Sequence, residues 1–144
     1  MQHRSHAEVY YHFVWATKHR AKTITKKLEP SLFQMLRKKC AEHSSTLIEV
    51  NCTDNHIHVL LRAYTCMSPA QIAKELKGSS SFHINKNCLT DEPFSWQDGY
   101  GVFSVSPHDV GLISRYIANQ KKHHAVKEVS GSWEICSDSA DGVG

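Results

Sequence analysis

The chain has 144 residues, of which 40% are hydrophobic and 22% are charged, and its formal net charge at pH 7 is +3. These values predict one globular domain that is long enough to bury a core, and they exclude a protein that binds nucleic acid through an overwhelming basic charge. Its 5 cysteines lack a Cys-x-x-Cys spacing, which argues against both a zinc ribbon and a disulfide framework. We see neither a signal peptide nor an apolar run of transmembrane length, so we expect a cytoplasmic protein without a membrane partner.

The first half of the chain predicts three strands and a helix. Residues 8–19 are rich in aromatic and β-branched side chains, which is typical of a central strand. A helix is predicted over residues 29–43, where apolar side chains recur at helical spacing. Residues 46–53 predict a second strand, which leads through a tight hairpin into a third strand over residues 55–61.

The second half predicts two further helices that flank another strand region. Ser68 is a candidate N-cap of a helix that continues into residues 78–81, where a glycine and three serines would either end or loosen it. The apolar stripe of this helix is expected to contain Ile72, Leu76 and Phe82. Residues 94–105 predict a short strand, a bend and another strand, after which Ser106 and Pro107 would cap and open the last helix.

The order of these elements predicts an α+β fold. Strand, helix, strand, strand, helix and strand form the βαββαβ pattern of a ferredoxin-like core, with an antiparallel sheet and its helices on one face. The last helix is an addition after this core. We expect residues 1–127 to form a single domain and the polar residues 128–144 to be largely unstructured, since this tail loses its periodicity.

The third strand contains a candidate metal site. His56 and His58 lie two residues apart, and alternate side chains of a strand point to the same face. Two neutral imidazoles at this spacing can share one divalent cation. The alternative is that both histidines lie on the solvent side of a half-buried strand.

The last helix contains a candidate nucleophile and a further metal ligand. Val110, Ile113 and Ile117 have the spacing of one buried helical stripe. Tyr116 and Gln120 are four residues apart, so they are expected to project from one helical face. The amide of Gln120 offers a carbonyl oxygen to a metal, and a tyrosine offers a phenolic oxygen that can attack an electrophile. The alternative is that Tyr116 is only a core residue.

Five segments, taken together, resemble a known family. They are YHFVWATKHR (11–20), NHIHVLL (55–61), LKGSSS (76–81), WQDGYGVFSVS (96–106) and YIANQ (116–120). In this order they resemble the single-tyrosine transposases of the HUH class, the TnpA type of small insertion sequences that move as single-stranded DNA. The resemblance covers about residues 8 to 125.

This resemblance implies an enzyme and a mechanism. Tyr116 would attack a phosphodiester of single-stranded DNA and form a 5′-phosphotyrosine link, which releases a free 3′-OH. His56, His58 and Gln120 would hold a divalent metal, Mg²⁺ or Mn²⁺, although Zn²⁺ also suits histidine. No nucleotide cofactor is expected, because the chain has no Gly-x-x-x-x-Gly-Lys phosphate loop. The domain over residues 1–127 would then be the catalytic domain.

The resemblance also implies partners, namely a DNA hairpin near each element end and a second copy of the chain in a homodimer. Basic residues expected to follow the DNA backbone are Lys18, Arg20, Lys74, Lys77 and Lys86. Two alternatives remain, a hairpin-binding protein that no longer cleaves and a small metal-binding protein without a DNA role. The polar tail departs from the charged and apolar segment that family members usually have there, which leaves dimer packing open.

Overall fold

A four-stranded antiparallel sheet forms the middle of the fold. The computed structural model describes residues 5–125 of the chain, with side chains for residues 5–122. The strands are β1 (Tyr10–Ala16), β2 (Thr46–Cys52), β3 (His56–Arg62) and β4 (Gly101–Val105). Their order in the sheet is β2-β3-β1-β4, and every neighbouring pair is antiparallel. The predicted α+β ferredoxin-like fold is therefore confirmed, and the predictions for the tail and the domain end lie outside the described residues.

Helices cover both faces of this sheet. The first pair, α1 (Glu29–Glu42) and α2 (Pro69–Lys86), lies on one face, and α3 (Val110–Ala118) lies on the other. A short helix, α4 (Gln120–Ala125), follows α3, and 3₁₀ turns span Lys18–Arg20 and Pro107–Asp109. No helix within residues 5–125 combines the length and the apolar character that a membrane crossing needs.

The alternation of side chains along β1 and β3 divides the core into two clusters. Odd-numbered residues of both strands face α1 and α2, and they include Phe13, Trp15, Ile57, Val59 and Leu61. On the opposite face, Leu60 of β3 packs with Val105, Ile113 and Ile117 beneath α3. This face also carries the even-numbered histidines, so α3 and the histidines lie on the same side of the sheet.

Helix α2 begins as predicted but buries a different stripe. Ser68 Oγ accepts from the backbone N–H of Gln71 at 3.1 Å, and Gln71 Oε1 accepts from the N–H of Ser68 at 2.7 Å, so a capping box starts the helix. The helix continues through residues 78–81. The prediction for Phe82 is wrong: this side chain is 66% exposed. Phe82 lies six residues after Leu76, roughly 240° around the helix, and therefore outside the stripe.

The strand ends differ from the prediction around β1 and before β4. β1 ends at Ala16, and Thr17 pairs with Trp96 through a single isolated bridge. The short strand predicted near residue 94 is thus reduced to one bridge. Gly99 has a φ of 88°, which turns the chain out of the extended conformation before β4 begins.

The cysteines predict a selective labelling pattern. Cys40 and Cys52 are buried, and burial raises the pKa of both thiols to about 12, whereas Cys66 and Cys88 are exposed. Because the thiolate is the reactive form, we expect iodoacetamide at pH 8 to modify Cys66 and Cys88 at least ~100-fold faster than Cys40 and Cys52. Peptide mass spectrometry after a brief treatment measures this ratio, and rapid labelling of Cys40 would contradict its burial in α1.

Candidate active site

The two histidines of β3 lie buried beneath α3. His56 is 1% exposed and His58 is 0% exposed, and their ring centroids are 5.3 Å apart with an interplanar angle of 68°. The alternative of two solvent-facing histidines therefore does not hold. Burial of an imidazole is costly unless its nitrogens have partners, so the contacts of each ring indicate its protonation pattern.

His56 is oriented by the hairpin loop that precedes it. Its Nδ1 lies 2.8 Å from Thr53 Oγ1 and 3.0 Å from Asn55 Oδ1, and Thr53 Oγ1 in turn donates to Asn55 Oδ1 at 3.3 Å. Since Asn55 Oδ1 can only accept, this arrangement suits a proton on Nδ1 of His56. When the ring is neutral its lone pair then lies on Nε2, and a metal binds the nitrogen that carries the lone pair.

His58 contacts a third histidine, His12, which was not among the predicted site residues. His12 on β1 is fully buried, and its Nε2 lies 2.9 Å from Nδ1 of His58. The two positions are diagonal neighbours, because His12 pairs with Leu60 and Val14 pairs with His58. A signal was present in the sequence, since His12 interrupts an aromatic and β-branched strand with a polar side chain.

Tyr116 of α3 lies against His58. The two ring centroids are 6.2 Å apart with an interplanar angle of 76°, and the tyrosine side chain is half-buried. Asn51 of β2, which pairs with His58 in the sheet, donates to the carbonyls of Ile117 and Ala118 at 3.0 and 3.1 Å. This contact satisfies the last carbonyls of α3 and holds the end of the helix above the histidines.

Gln120 reaches the same site, although the helical spacing used to predict this is wrong. α3 ends at Ala118, and Asn119 has φ −98° and ψ 16°, so Gln120 begins the separate helix α4. Gln120 is fully buried, and its Nε2 lies 3.5 Å from Nε2 of His56. Lys121, the next residue, donates to Asn51 Oδ1 at 2.7 Å and thereby ties α4 to β2.

These side chains offer nitrogen and oxygen donors of the kinds that bind divalent cations. Among the described side chains of residues 5–122, no group of three or more His, Cys, Asp or Glu could hold a metal, so a third ligand drawn from these residues beside His56 and His58 has to be of another type. The amide of Gln120 carries a carbonyl oxygen and a nitrogen on one rotatable group, and either can be turned toward His56. Two imidazole nitrogens and one amide oxygen suit Mn²⁺ or Mg²⁺ with further positions open to other ligands.

The basic residues predicted to bind DNA are divided between two regions. Lys18 and Arg20 follow β1, whose last residue Ala16 pairs with His56, so they lie at the histidine end of the sheet. The lysines of α2 lie on the helix that covers the opposite face. Of these, Lys74 and Lys86 are exposed.

Lys77 makes a different set of contacts from the other basic residues. It is half-buried, and its Nζ donates to the carbonyls of Gln97 and Gly99 at 2.7 Å each. Burial lowers the pKa of this ammonium group below its ordinary value, an effect that the nearby Asp98 carboxylate partly offsets. Two of its three N–H groups are thus used by the loop before β4.

Comparisons with known proteins agree on one family. The family model described as IS200-like transposase matches residues 5–120. The ISDra2 transposase TnpA of Deinococcus radiodurans is 25% identical over 115 residues, which cover 76% of this chain and 82% of that protein. The transposase for insertion sequence element IS200 of Salmonella typhimurium is 29% identical over 124 residues, which cover 82% of this chain and 80% of that protein.

Solved structures share the same architecture. A crystal structure of a Deinococcus radiodurans R1 protein described as a transposase superposes with a TM-score of 0.66 and 26% identity, covering 83% of this chain and 96% of that one. A REP-associated tyrosine transposase bound to a REP hairpin has a TM-score of 0.62 and covers 86% of this chain and 74% of its own. Its identity is 12%, so that likeness concerns the fold alone.

Proposed function

Because the chain belongs to the family of IS200-like transposases, we propose that it cleaves and rejoins single-stranded DNA at element ends through a covalent phosphotyrosine intermediate. One observation carries this proposal. His56 and His58 of β3 lie in contact with Tyr116 of α3 and Gln120 of α4, although up to 64 residues separate these side chains in the chain. A protein that only binds DNA has no need for this combination of side chains.

In the proposed reaction Tyr116 is the nucleophile. Its phenolic oxygen attacks the phosphorus of a DNA phosphodiester, forming a bond between the phosphorus and the tyrosine oxygen and breaking the bond to the 3′ oxygen. The proton lost by the phenol balances the proton gained by the departing 3′-OH. The energy of the phosphodiester is kept in the 5′-phosphotyrosine, so a 3′-OH can later attack it and reseal the strand without a nucleotide cofactor.

The histidines and the glutamine are proposed to hold a divalent cation. His56 and His58 would bind it through Nε2 and Gln120 through Oε1, which fits the hydrogen bonds that occupy Nδ1 of His56. When bound, Mg²⁺ or Mn²⁺ supplies positive charge that polarises the scissile phosphate. A phosphate bound at these residues would lie within reach of Tyr116, because the ring of that residue packs on His58.

The proposed partner is single-stranded DNA that folds into a hairpin near the element end. Lys18 and Arg20 support this assignment, because they place positive charge at the end of the sheet that carries His56. Exposed Lys74 and Lys86 would contact the DNA backbone only if it also reached α2, and the carbonyl contacts of Lys77 favour a role in the loop instead. A solved protein of the same fold is bound to a REP hairpin.

We further propose a homodimer. β2 and β4 are the outer strands of the sheet, so each has one edge that is not paired with another strand of residues 5–125. Such an edge can pair with the same strand of a second copy and extend the sheet. In the single chain, the ring centroid of Tyr116 lies 6.2 Å from that of His58, so the proposed dimer does not depend on the partner supplying the tyrosine.

The choice of DNA substrate tests the proposed function directly. We expect the protein with Mg²⁺ or Mn²⁺ to bind and cut a labelled single-stranded element end that contains its hairpin, and a fully duplex version of the same end to be cut at least ~100-fold more slowly. The physical reason is that the scissile strand of a duplex is stacked and base-paired, and unpairing it costs a few kcal/mol.

A denaturing gel of the labelled strand measures cleavage, and a mobility-shift assay measures binding. Equal cutting of duplex and single strand would indicate an ordinary nuclease. Tight hairpin binding without cleavage under any divalent metal would instead support the alternative of a binding protein that no longer cleaves.

A further inference from the structure

A buried hydrogen bond joins the proposed metal ligand His58 to a residue of another strand. His12 Nε2 and His58 Nδ1 are 2.9 Å apart, both residues are 0% exposed, and their ring centroids are 5.1 Å apart. At this distance one of the two nitrogens donates a proton and the other accepts it. The direction of donation decides which nitrogen of His58 carries a lone pair.

Only one direction is compatible with metal binding by His58. If His12 donated from Nε2, Nδ1 of a neutral His58 would be the acceptor and Nε2 of His58 would carry the proton, so it could not bind a cation. If His58 donates from Nδ1, His12 accepts through Nε2 and carries its own proton on Nδ1. The lone pair of His58 is then on Nε2, in a ring whose centroid lies 5.3 Å from that of His56.

We propose that His12 is a positioning residue that accepts the Nδ1 proton of His58 and so presents the Nε2 lone pair of His58 to the metal. This inference rests on the proposed metal site. It assigns His12 the task that Thr53 and Asn55 perform for His56, namely to hold the ring by the nitrogen that does not bind the cation.

The position of His12 suits this task, because its backbone is held on both sides. β1 lies between β3 and β4, and within it His12 pairs with Leu60 on one side and Phe103 on the other. The ring of Phe103 also lies near that of His12, with the centroids 6.0 Å apart. A side chain on a central, buried strand has little freedom to move, so it can fix the orientation of the imidazole that it contacts.

Metal affinity in the absence of DNA tests this role without relying on activity. The assay is Mn²⁺ binding, followed by electron paramagnetic resonance of the free ion, on the purified full chain. We expect His12→Phe, which keeps a ring but removes the acceptor, to weaken binding roughly 10- to 100-fold. His12→Gln restores an acceptor oxygen and should return the affinity to within a few-fold of wild type. His83→Phe, a change of the same kind on α2, should leave it unchanged.

Mn²⁺ binding by one further variant, His58→Ala, separates the failure of this inference from the failure of the metal site. If His58→Ala leaves Mn²⁺ binding intact, the proposed metal site itself is wrong. If His58→Ala abolishes binding but His12→Phe does not weaken it, the role of His12 alone is overturned.

The protonation pattern of the rings gives a test that needs no variant at position 12. Nitrogen-15 spectra of the histidine rings in the metal-free wild type should place the His58 proton on Nδ1. A proton on Nε2 of His58 would contradict the proposal even if the His12 variants did not fold.

Discussion

Tyr116→Phe is expected to abolish the covalent protein–DNA adduct completely while folding and hairpin binding are kept. Phenylalanine retains the ring that packs on His58 and beside the cluster of Leu60, Ile113 and Ile117. The lost hydroxyl should lower the free energy of unfolding by at most about 1–3 kcal/mol, and only if it is buried and hydrogen-bonded. Without the phenolic oxygen, however, no phosphotyrosine can form at this position.

A denaturing gel of wild type and variant with a labelled single strand and Mn²⁺ measures the adduct. The matched control is Tyr10→Phe, because Tyr10 packs against the same cluster and its hydroxyl contacts only Glu8 among the described hydrogen bonds, at 3.4 Å. We expect that variant to form the adduct normally. An adduct that persists in Tyr116→Phe means that another residue attacks the DNA, and the proposed mechanism would then be wrong.

His56→Ala and His58→Ala are each expected to remove metal-dependent cleavage while hairpin binding survives. A bound cation commonly lowers the barrier by several kcal/mol, so the rate of cleavage should fall by roughly a thousandfold or more. Removal of the metal from the wild type with EDTA should have the same effect. Cleavage is followed on the labelled strand, and binding by mobility shift.

The buried position of both histidines requires a control for stability. His58→Ala leaves a cavity and removes the partner of His12, so thermal unfolding of each variant should be compared with that of wild type. His43→Ala serves as the matched surface change, because His43 Nε2 lies 3.2 Å from Glu75 Oε1, away from the site. Undiminished cleavage by a folded His56→Ala variant would exclude His56 as a ligand.

The local elements of this protein were predictable because their signals lie within a few residues of each other. The N-cap at Ser68, the hairpin before β3 and the shared face of His56 and His58 follow from signals within a few residues of each other. The prediction from helical spacing was wrong at Phe82, which lies six residues after Leu76 and outside the buried stripe. It failed again at Gln120, where the break at Asn119 interrupts the assumed helix.

The sequence by itself determined which side chains share a strand face, since backbone periodicity sets this, and it identified Ser68 as the N-cap of α2. The start of the last helix was predicted wrongly, because Pro107 begins only a 3₁₀ turn and α3 begins at Val110. Only the tertiary structure decided that His12 meets His58 across 46 residues and that Gln120 meets His56 across 64. Those contacts depend on the register of β1 against β3 and on the packing of α3 on the sheet. Asn51 stabilises this packing by donating a hydrogen bond to the carbonyl of Ile117. Register and helix packing come from the summed burial of both core clusters, so no short stretch of sequence contains the information that brings this site together.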